Sequence, residues 1–370
     1  RYARSGRSDL AIELFQALAE RHGEERVVDD ALAWMVMHLA SAEAAHHQAA
    51  SGRASVQPAS ARVGAFETGV QGAAAVAPLG GFDQVVIPAS APADRGPPGA
   101  REAQRALALF ATIERTRPRL AARPELQLAQ AAAQRSAGQA AEATAVYRRL
   151  AAAPLSGPEG ECARAELWIS DPRSACPKPL VHCVRAGEKP FLDGKLDDAL
   201  WQSARTMQLQ SRYGEDEAWP AVALLARDDE FLYFAAVCTR VPGMQYEASA
   251  GPRPRDADLS GRDQLELLLD VNRDWSSYYR FQFDQRGFTA EACAGDAAWN
   301  PTYHVATAGD ERQWTIEAAI PLSALTTAAP PRGACWGAAV KRIAPGVGKQ
   351  SWGRAASFEN AAAAGLLMFE

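Results

Sequence analysis

The sequence lacks the short motifs that usually mark an active site or a metal site. It contains no Gly-x-Ser-x-Gly, no Gly-x-x-x-x-Gly-Lys-[Ser/Thr] and no His-Glu-x-x-His, so nothing indicates hydrolase, nucleotide-binding or zinc-peptidase chemistry of those types. None of the six cysteines forms Cys-x-x-Cys or Cys-x-x-Cys-His, which argues against zinc ribbons, thioredoxin-like chemistry and covalent haem. We therefore expect a protein that is not an enzyme.

The sequence also lacks an excess of basic residues and a long apolar run. The formal net charge is −5, whereas nucleic-acid binding requires a basic stripe. No stretch of 18 apolar residues is present, so we expect no membrane span. With 370 residues, 48% of them hydrophobic, the chain can form two or more domains with cores of their own. Because it begins at Arg1 rather than Met, we expect an excised or mature fragment.

The cysteines leave two alternatives open. Cys238, Cys293 and Cys335 lie in predicted strands, where buried thiols and disulfides are equally compatible with the pattern. The other three, Cys162, Cys176 and Cys183, flank the predicted domain junction. An even number of cysteines in an exported protein allows one to three bridges, which the sequence does not assign.

Residues 1–49 and 101–170 have the periodicity of helices. A small, an aromatic and an aliphatic residue recur at i, i+4 and i+7, which is one face of a helix. The three sets are Ala11, Phe15 and Leu18; Ala106, Phe110 and Ile113; and Ala143, Tyr147 and Leu150. This spacing resembles the second half of a tetratricopeptide (TPR) repeat, and the alternative is an ordinary Ala-rich bundle. The prediction is a region of TPR-like helical repeats over residues 1–175 that binds a protein partner. It includes a low-complexity insertion at about 50–100, whose one β-like run is residues 84–88.

Residues 178–370 have the pattern of a β-sandwich. The apolar run Phe231–Val237 has the length of a buried strand, and it follows residues 222–226 across an acidic turn, as in a hairpin. Tyr279, Phe281 and Phe283 alternate with polar residues, which gives one apolar and one polar face. The fold predicted for the whole chain is therefore multidomain, α then β, with an antiparallel β-sandwich in the second half.

Five blocks in the second half occur in a fixed order: Phe191–Trp201, Glu230–Val237, Asp263–Asp270, Trp314–Pro321 and Cys335–Arg342. Together they resemble the family 9 carbohydrate-binding modules. The resemblance implies a non-catalytic sandwich that binds a glycan or oligosaccharide, in an exported bacterial protein that is extracellular or periplasmic. Such a module can belong to a larger polysaccharide-degrading protein and take part in carbohydrate catabolism.

The resemblance also implies a sugar site. Sugars present apolar C–H faces to aromatic rings and hydroxyl groups to charged or amide side chains. Trp352 resembles the C-terminal clamp tryptophan and Arg280 the sugar-binding arginine, while Glu266 lies on the polar alternation of its strand. Asp263 and Arg342 are further candidates for the same face. The second clamp aromatic has no counterpart, because residues 248–262 contain no aromatic residue.

Other interpretations remain open. Trp352 could be a packing residue, and Arg280 and Glu266 could form a plain cross-strand ion pair. We assign no metal ligand, although family modules can hold structural calcium, for which Asp256, Asp258 and Asp270 are loop carboxylates. Two other functions are compatible with the fold: a structural assembly module with no sugar ligand, and a haem-b-binding relative that would use Met244 and Lys341.

Overall fold

The computed structural model describes residues 2–22, 26–51, 99–153, 157–211, 216–247, 254 and 256–370 apart from 353–360. The predicted insertion at about 50–100, including its 84–88 run, lies almost wholly outside these residues. Within the described ranges, no helix combines the length and the apolar character that crossing a bilayer requires.

Helices fill the described part of the first half. They are α1 (Ser8–Arg21), α2 (Arg26–Ala40), α3 (Ala42–Ala50), α4 (Ala100–Thr116), α5 (Pro118–Ala121), α6 (Pro124–Ser136), α7 (Ala140–Ala152) and α8 (Pro158–Ser170). The predicted small–aromatic–aliphatic sets are fully buried on α4 and α7, whereas on α1 only Ala11 is. The helical faces are thus as expected, while the assignment to TPR repeats stays a prediction.

Strands begin ten residues after α8. They are β1 (Leu180–Arg185), β2 (Met207–Ser211), β3 (Ala221–Arg227), β4 (Phe231–Thr239), β5 (Gln264–Asp270), β6 (Tyr279–Asp284), β7 (Thr289–Cys293), β8 (His304–Gly309), β9 (Gln313–Pro321), β10 (Cys335–Ala344), β11 (Gly348–Trp352) and β12 (Gly365–Phe369). One short helix, α9 (Ala199–Ser203), separates β1 from β2. The hairpin predicted around residues 228–230 is confirmed as β3–β4.

The strands form two facing rows, β7–β6–β5–β10 and β3–β4–β9–β8. At one end, β10 and β3 are joined through β11 and β2, and at the other through β12 and β1. The rings of Phe234 on β4 and Phe283 on β6 are 5.6 Å apart, so the two rows pack face to face. The α-then-β class with a sandwich is confirmed, with two parallel pairings, β1–β12 and β1–β3, added to an otherwise antiparallel fold.

The Phe191–Trp201 block is a structural element held by Glu317 of β9. The buried Glu317 carboxylate accepts hydrogen bonds from the main-chain N–H of Gly194 at 2.6 Å and from Trp201 Nε1 at 2.6 Å. Gly194 has φ +83°, and a Cβ there would lie 2.5 Å from the Ala308 nitrogen, so only glycine fits this turn. Trp201 is therefore a packing residue and not part of a ligand site.

The helical region packs on the outside of the sandwich. Apolar residues of α6, α7 and α8 share one buried cluster with Leu268, Ala339 and Leu366, which point outward from β5, β10 and β12. Glu166 on α8 joins the two regions, because it is ion-paired with Arg135 on α6 and, at 2.9 Å, with Arg273 of the sandwich. All six cysteines are free, so the alternative of disulfides is wrong.

Candidate ligand-binding face

A row of polar side chains crosses the outer face of the sandwich. Strand pairing places five residues directly beside one another on β6, β5, β10, β11 and β2: Gln282, Glu266, Lys341, Ser351 and Gln210. Their neighbours along each strand, such as Leu265, Leu267 and Phe281, lie in the core. Because side chains alternate between the two faces of a strand, the five residues all point outward. We call these five residues the polar row.

The central residues of the polar row are recessed and hydrogen-bonded. Gln282 Nε2 donates to Glu266 Oε1 at 2.8 Å, and Lys341 Nζ lies 3.8 Å from Glu266 Oε2. The exposed fractions of the Glu266 and Lys341 side chains are only 12% and 5%. Partly buried polar groups of this kind have a fixed geometry, which a solvated surface pair does not have.

Arg280 lies two residues before Gln282 on β6 and points to the same side. It is paired across the sheet with Leu268 and Ala292, so neither direct neighbour is acidic. Its Nε atom is buried and has no hydrogen-bond partner in the described part of the chain. Such an unsatisfied donor is costly unless something else accepts from it. The predicted plain ion pair between Arg280 and Glu266 is absent from the described ion pairs.

A small cavity lies beside the polar row. Its volume for water-sized molecules is about 20 Å³, which is room for about one water. It is lined by Leu268, Asp270, Tyr278, Gly337, Ala339, Lys341, Ser351, Ala361, Ala363 and Ala364. A cavity of this size cannot accept a sugar ring.

Trp352 lies on the other side of its strand. It is the residue after Ser351, is paired with the core residue Leu209 and packs against the core of the sandwich. A Cβ at position 365 would lie 2.7 Å from its Cζ3, which shows that the indole fills the space above Gly365. The expectation that Trp352 shares a face with Arg280 is therefore corrected: the two side chains lie on opposite faces.

Asp263 and Arg342 form a buried ion pair in the interior. Arg342 donates from Nε to Oδ1 at 2.9 Å and from Nη2 to Oδ2 at 2.6 Å. Tyr246 and Trp314 also donate to Oδ2, at 2.7 and 3.0 Å. Burial lowers the pKa of Arg342, but the hydrogen bonds to Asp263 and the charges of Asp263 and nearby acidic groups together outweigh burial and leave that pKa above its ordinary value. The two residues are not on the outer face, contrary to expectation, because their charges satisfy each other inside.

The haem alternative is not supported by the placement of its two ligands. Lys341 points outward to Glu266, whereas Met244 packs against Trp219, Val241 and Ala344. Ala344 and Lys341 have opposite parity along β10, so Met244 and Lys341 lie on opposite faces of that strand. They cannot coordinate one iron in this structure.

Of the three candidate calcium carboxylates, Asp270 alone belongs to a cluster of possible metal ligands within the described part of the chain. Its oxygen and those of Glu43 and Asp274 lie within 4.8 Å of one another, and all three residues are buried. Burial raises the pKa of each carboxyl, and repulsion by neighbouring carboxylates adds to this for Asp270 and for Glu43, whose pKa rises to about 7. Main-chain N–H groups and serine hydroxyls already donate to these oxygens. Chemically, the cluster requires protons or a cation to relieve the repulsion.

Sequence reasoning missed Gln282 and Lys341 as members of one row with Glu266. The alternation in β6 already separates Gln282 from its apolar neighbours, and Lys341 follows an apolar residue in β10 in the same way. What the sequence could not provide is the register that places the three side by side.

Comparison with solved structures finds likenesses that cover about half of this chain, in its second part, among them two carbohydrate-binding modules. A family 9 carbohydrate-binding module from Caldicellulosiruptor kristjanssonii in complex with cellotriose is 19% identical, with a TM-score of 0.40, over 52% of this chain and 94% of that chain. The same organism's module in complex with glucose is 17% identical, with a TM-score of 0.39, over 52% and 96%. No protein-family model and no curated protein matches the chain.

Proposed function

We propose that the outer face of the sandwich binds a carbohydrate and does not transform it. The observation that supports this is the polar row, in which a recessed carboxylate, an amide and an ammonium group lie side by side next to an arginine with an unsatisfied donor. Sugar hydroxyls both donate and accept hydrogen bonds. Glu266 and the side-chain oxygen of Gln282, whose Nε2 already donates to Gln264 and Glu266, offer acceptors, whereas Lys341 and Arg280 offer donors.

The aromatic contribution to this site is small. Tyr278 has the same parity as Arg280 on the β6 side, and it is partly buried against the helical region. Trp352 faces the core and is not a platform for a sugar ring. Binding that rests on hydrogen bonds without a two-sided aromatic clamp is weak, and we expect dissociation constants of about 0.1–10 mM.

Among the residues that the structure describes, two carboxylates suited to glycoside hydrolysis are not found together on this face. A glycosidase needs a pair of carboxyl groups on either side of the scissile bond. The carboxylate of Asp284, which lies across the sheet from Gln264, is fully buried and paired with Arg286 at 2.5 Å. Glu266 is thus left without a second free carboxylate among the described neighbours, which supports a binding role rather than catalysis.

The test is calorimetric titration of the full chain with a panel of mono- and oligosaccharides. We expect saturable binding that is weakened about tenfold by Gln282→Ala and by Arg280→Ala, since each loses a hydrogen bond to the ligand. The matched control is Gln313→Ala, because Gln313 is exposed on β9 in the opposite row. No binding to any sugar by the folded protein, or equal losses in the control, would contradict the proposal.

An assembly module is the second candidate. It is favoured by the absence, on the described outer face, of a second exposed aromatic, and by the apolar side chains of Leu14 and Val27, which are 55% and 49% exposed on α1 and α2. In that case the helical region would bind a protein partner and the sandwich would carry no glycan. Under either function, we propose that the chain is part of an exported protein.

A further inference from the structure

We propose that a second site, unrelated to the polar row, binds a small ligand bearing an oxyanion group. It is a cleft at the end of the sandwich where β1, β3 and β12 finish. The cleft has a volume of about 840 Å³. Four arginines line it: Arg185, Arg205, Arg227 and Arg332. We call it the arginine cleft.

Arg227 is the inner wall of the arginine cleft and is incompletely neutralised. Only 3% of the residue is exposed. Its Nη2 donates to the main-chain oxygen of Glu370 at 3.1 Å, and its Nη1 is 3.9 Å from Asp229. Its Nε is buried with no hydrogen-bond partner in the described chain. A buried guanidinium is costly unless it is paired and fully hydrogen-bonded. An anion in the cleft would supply the missing negative charge and hydrogen-bond acceptor.

The other charges at the arginine cleft leave it positive. Asp229 is shared between Arg185 and Arg227, and it is 65% exposed. The Glu370 side chain lies 3.3 Å from His182. Arg205 and Arg332 are exposed and form no ion pair with any residue that the structure describes. Four guanidinium groups thus face the side-chain carboxylates of Asp229 and Glu370, and Arg205 and Arg332 are the two that have no ion pair among the described residues.

The shape and charge of the arginine cleft define the class of ligand. Guanidinium groups bind phosphate, sulfate and carboxylate in a planar, two-point geometry that lysine does not reproduce. A cleft of this size accommodates a small molecule. The chain as a whole has a net charge of −5, which disfavours a long polyanion such as nucleic acid as the ligand.

The experiment uses the full chain and separate titrations with inorganic phosphate, inorganic sulfate and glucuronate, followed by calorimetry at low ionic strength. We expect saturable binding of at least one probe, with an affinity that falls as salt is raised. The double variant Arg205→Gln/Arg332→Gln is expected to weaken it at least tenfold. The control Arg148→Gln/Arg149→Gln removes two exposed charges from α7 and should leave binding unchanged.

The probe that binds identifies the anionic group. The single variant Arg280→Ala, which weakens glycan binding in the proposal for the polar row, should leave anion binding unchanged, so the two sites can fail independently. The proposal is overturned if no probe binds at about 10 mM, if both double variants weaken binding equally, or if only a nucleic acid binds.

Discussion

The Glu43 carboxylate on α3 accepts a 2.6 Å hydrogen bond from the main-chain N–H of Val271, at the end of β5. Its other oxygen accepts a hydrogen bond from Ser277 Oγ at 3.0 Å. Glu43 is completely buried, so a carboxylate from the helical region is enclosed by the sandwich. Asp270 and Asp274 lie beside it. The contact between the two regions therefore contains three carboxyl groups whose ionisation is disfavoured.

This contact predicts that stability falls as the pH rises. Burial, and after it the neighbouring Asp274, raises the pKa of Glu43 from 4.5 to about 7. The folded state then binds more protons than the unfolded chain between about pH 4.5 and pH 7, so the free energy of unfolding decreases through that window. We expect wild type to lose about 2 kcal/mol more than Glu43→Gln between pH 5 and pH 8, as measured by denaturant unfolding at each pH.

The comparison with Glu43→Gln removes the contribution of titrating groups that lie outside the cluster of Glu43, Asp270 and Asp274. Burial lowers the pKa of His38 to about 4, and this group acts in the opposite direction below pH 6.5, but equally in both proteins. Glu142→Gln, on the exposed side of α7, is the control and should follow wild type. Parallel pH profiles for wild type and Glu43→Gln would refute the expectation.

The interior ion pair predicts a large loss of stability without loss of ligand binding. Arg342→Met leaves Asp263 buried and without its guanidinium partner, which is expected to cost about 3–5 kcal/mol. The double variant Arg342→Met/Asp263→Leu should recover part of this loss, because no unpaired charge remains. Chemical denaturation of wild type, of the two variants and of Asp263→Leu gives the interaction free energy between Arg342 and Asp263.

The same variants test the placement of the pair. If Arg342 and Asp263 lie in the core, the folded fraction of each variant should bind glycan as wild type does. A stable Arg342→Met protein that no longer binds would instead place the guanidinium at the ligand.

Gly365 predicts where the Trp352 indole lies. A Cβ at this position would be 2.7 Å from Trp352 Cζ3 and 2.7 Å from the Pro179 oxygen. Gly365→Ala should therefore destabilise the protein by about 1–3 kcal/mol, with a shift in tryptophan fluorescence. Gly187→Ala, where the added methyl group meets nothing within 4 Å, is the control. Equal stability of the two variants would show that the ring lies elsewhere.

The sequence predicts the elements that depend on local pattern. The run Phe231–Val237 is apolar at every position because β4 is the centre of a row that is covered on both faces, and the spacing of Ala143, Tyr147 and Leu150 follows one buried helical face. Trp314 and Trp336, which belong to two of the five ordered blocks, are 1% and 4% exposed. In these cases the periodicity and the burial have the same cause.

The site is harder to predict, because it depends on how the strands are aligned with one another and on which face of its strand each side chain points to. Ser351 and Trp352 are adjacent, and a shift of one residue exchanges the outer face for the core. The segment Gly348–Trp352 has no clear apolar alternation, so the sequence does not show which of the two faces outward. Asp263 and Arg342 break the expectation that charges lie outside, because they pair across a long separation that no local pattern encodes.

The parallel pairing of β1 with β12 determines the order in which the sandwich can be assembled. Leu180 and Leu366 are register partners on neighbouring strands, although they are far apart in the chain. During synthesis the edges of β1 and β10 stay open until β12 emerges, and open edges invite pairing with other chains. Because Cys162 and Lys178 bind the turn just before β12 through the main-chain oxygen of Ala362, α8 also gains its final partner only then. We therefore expect the sandwich and its contact with α8 to be completed late in folding, when β12 pairs with β1 and β10.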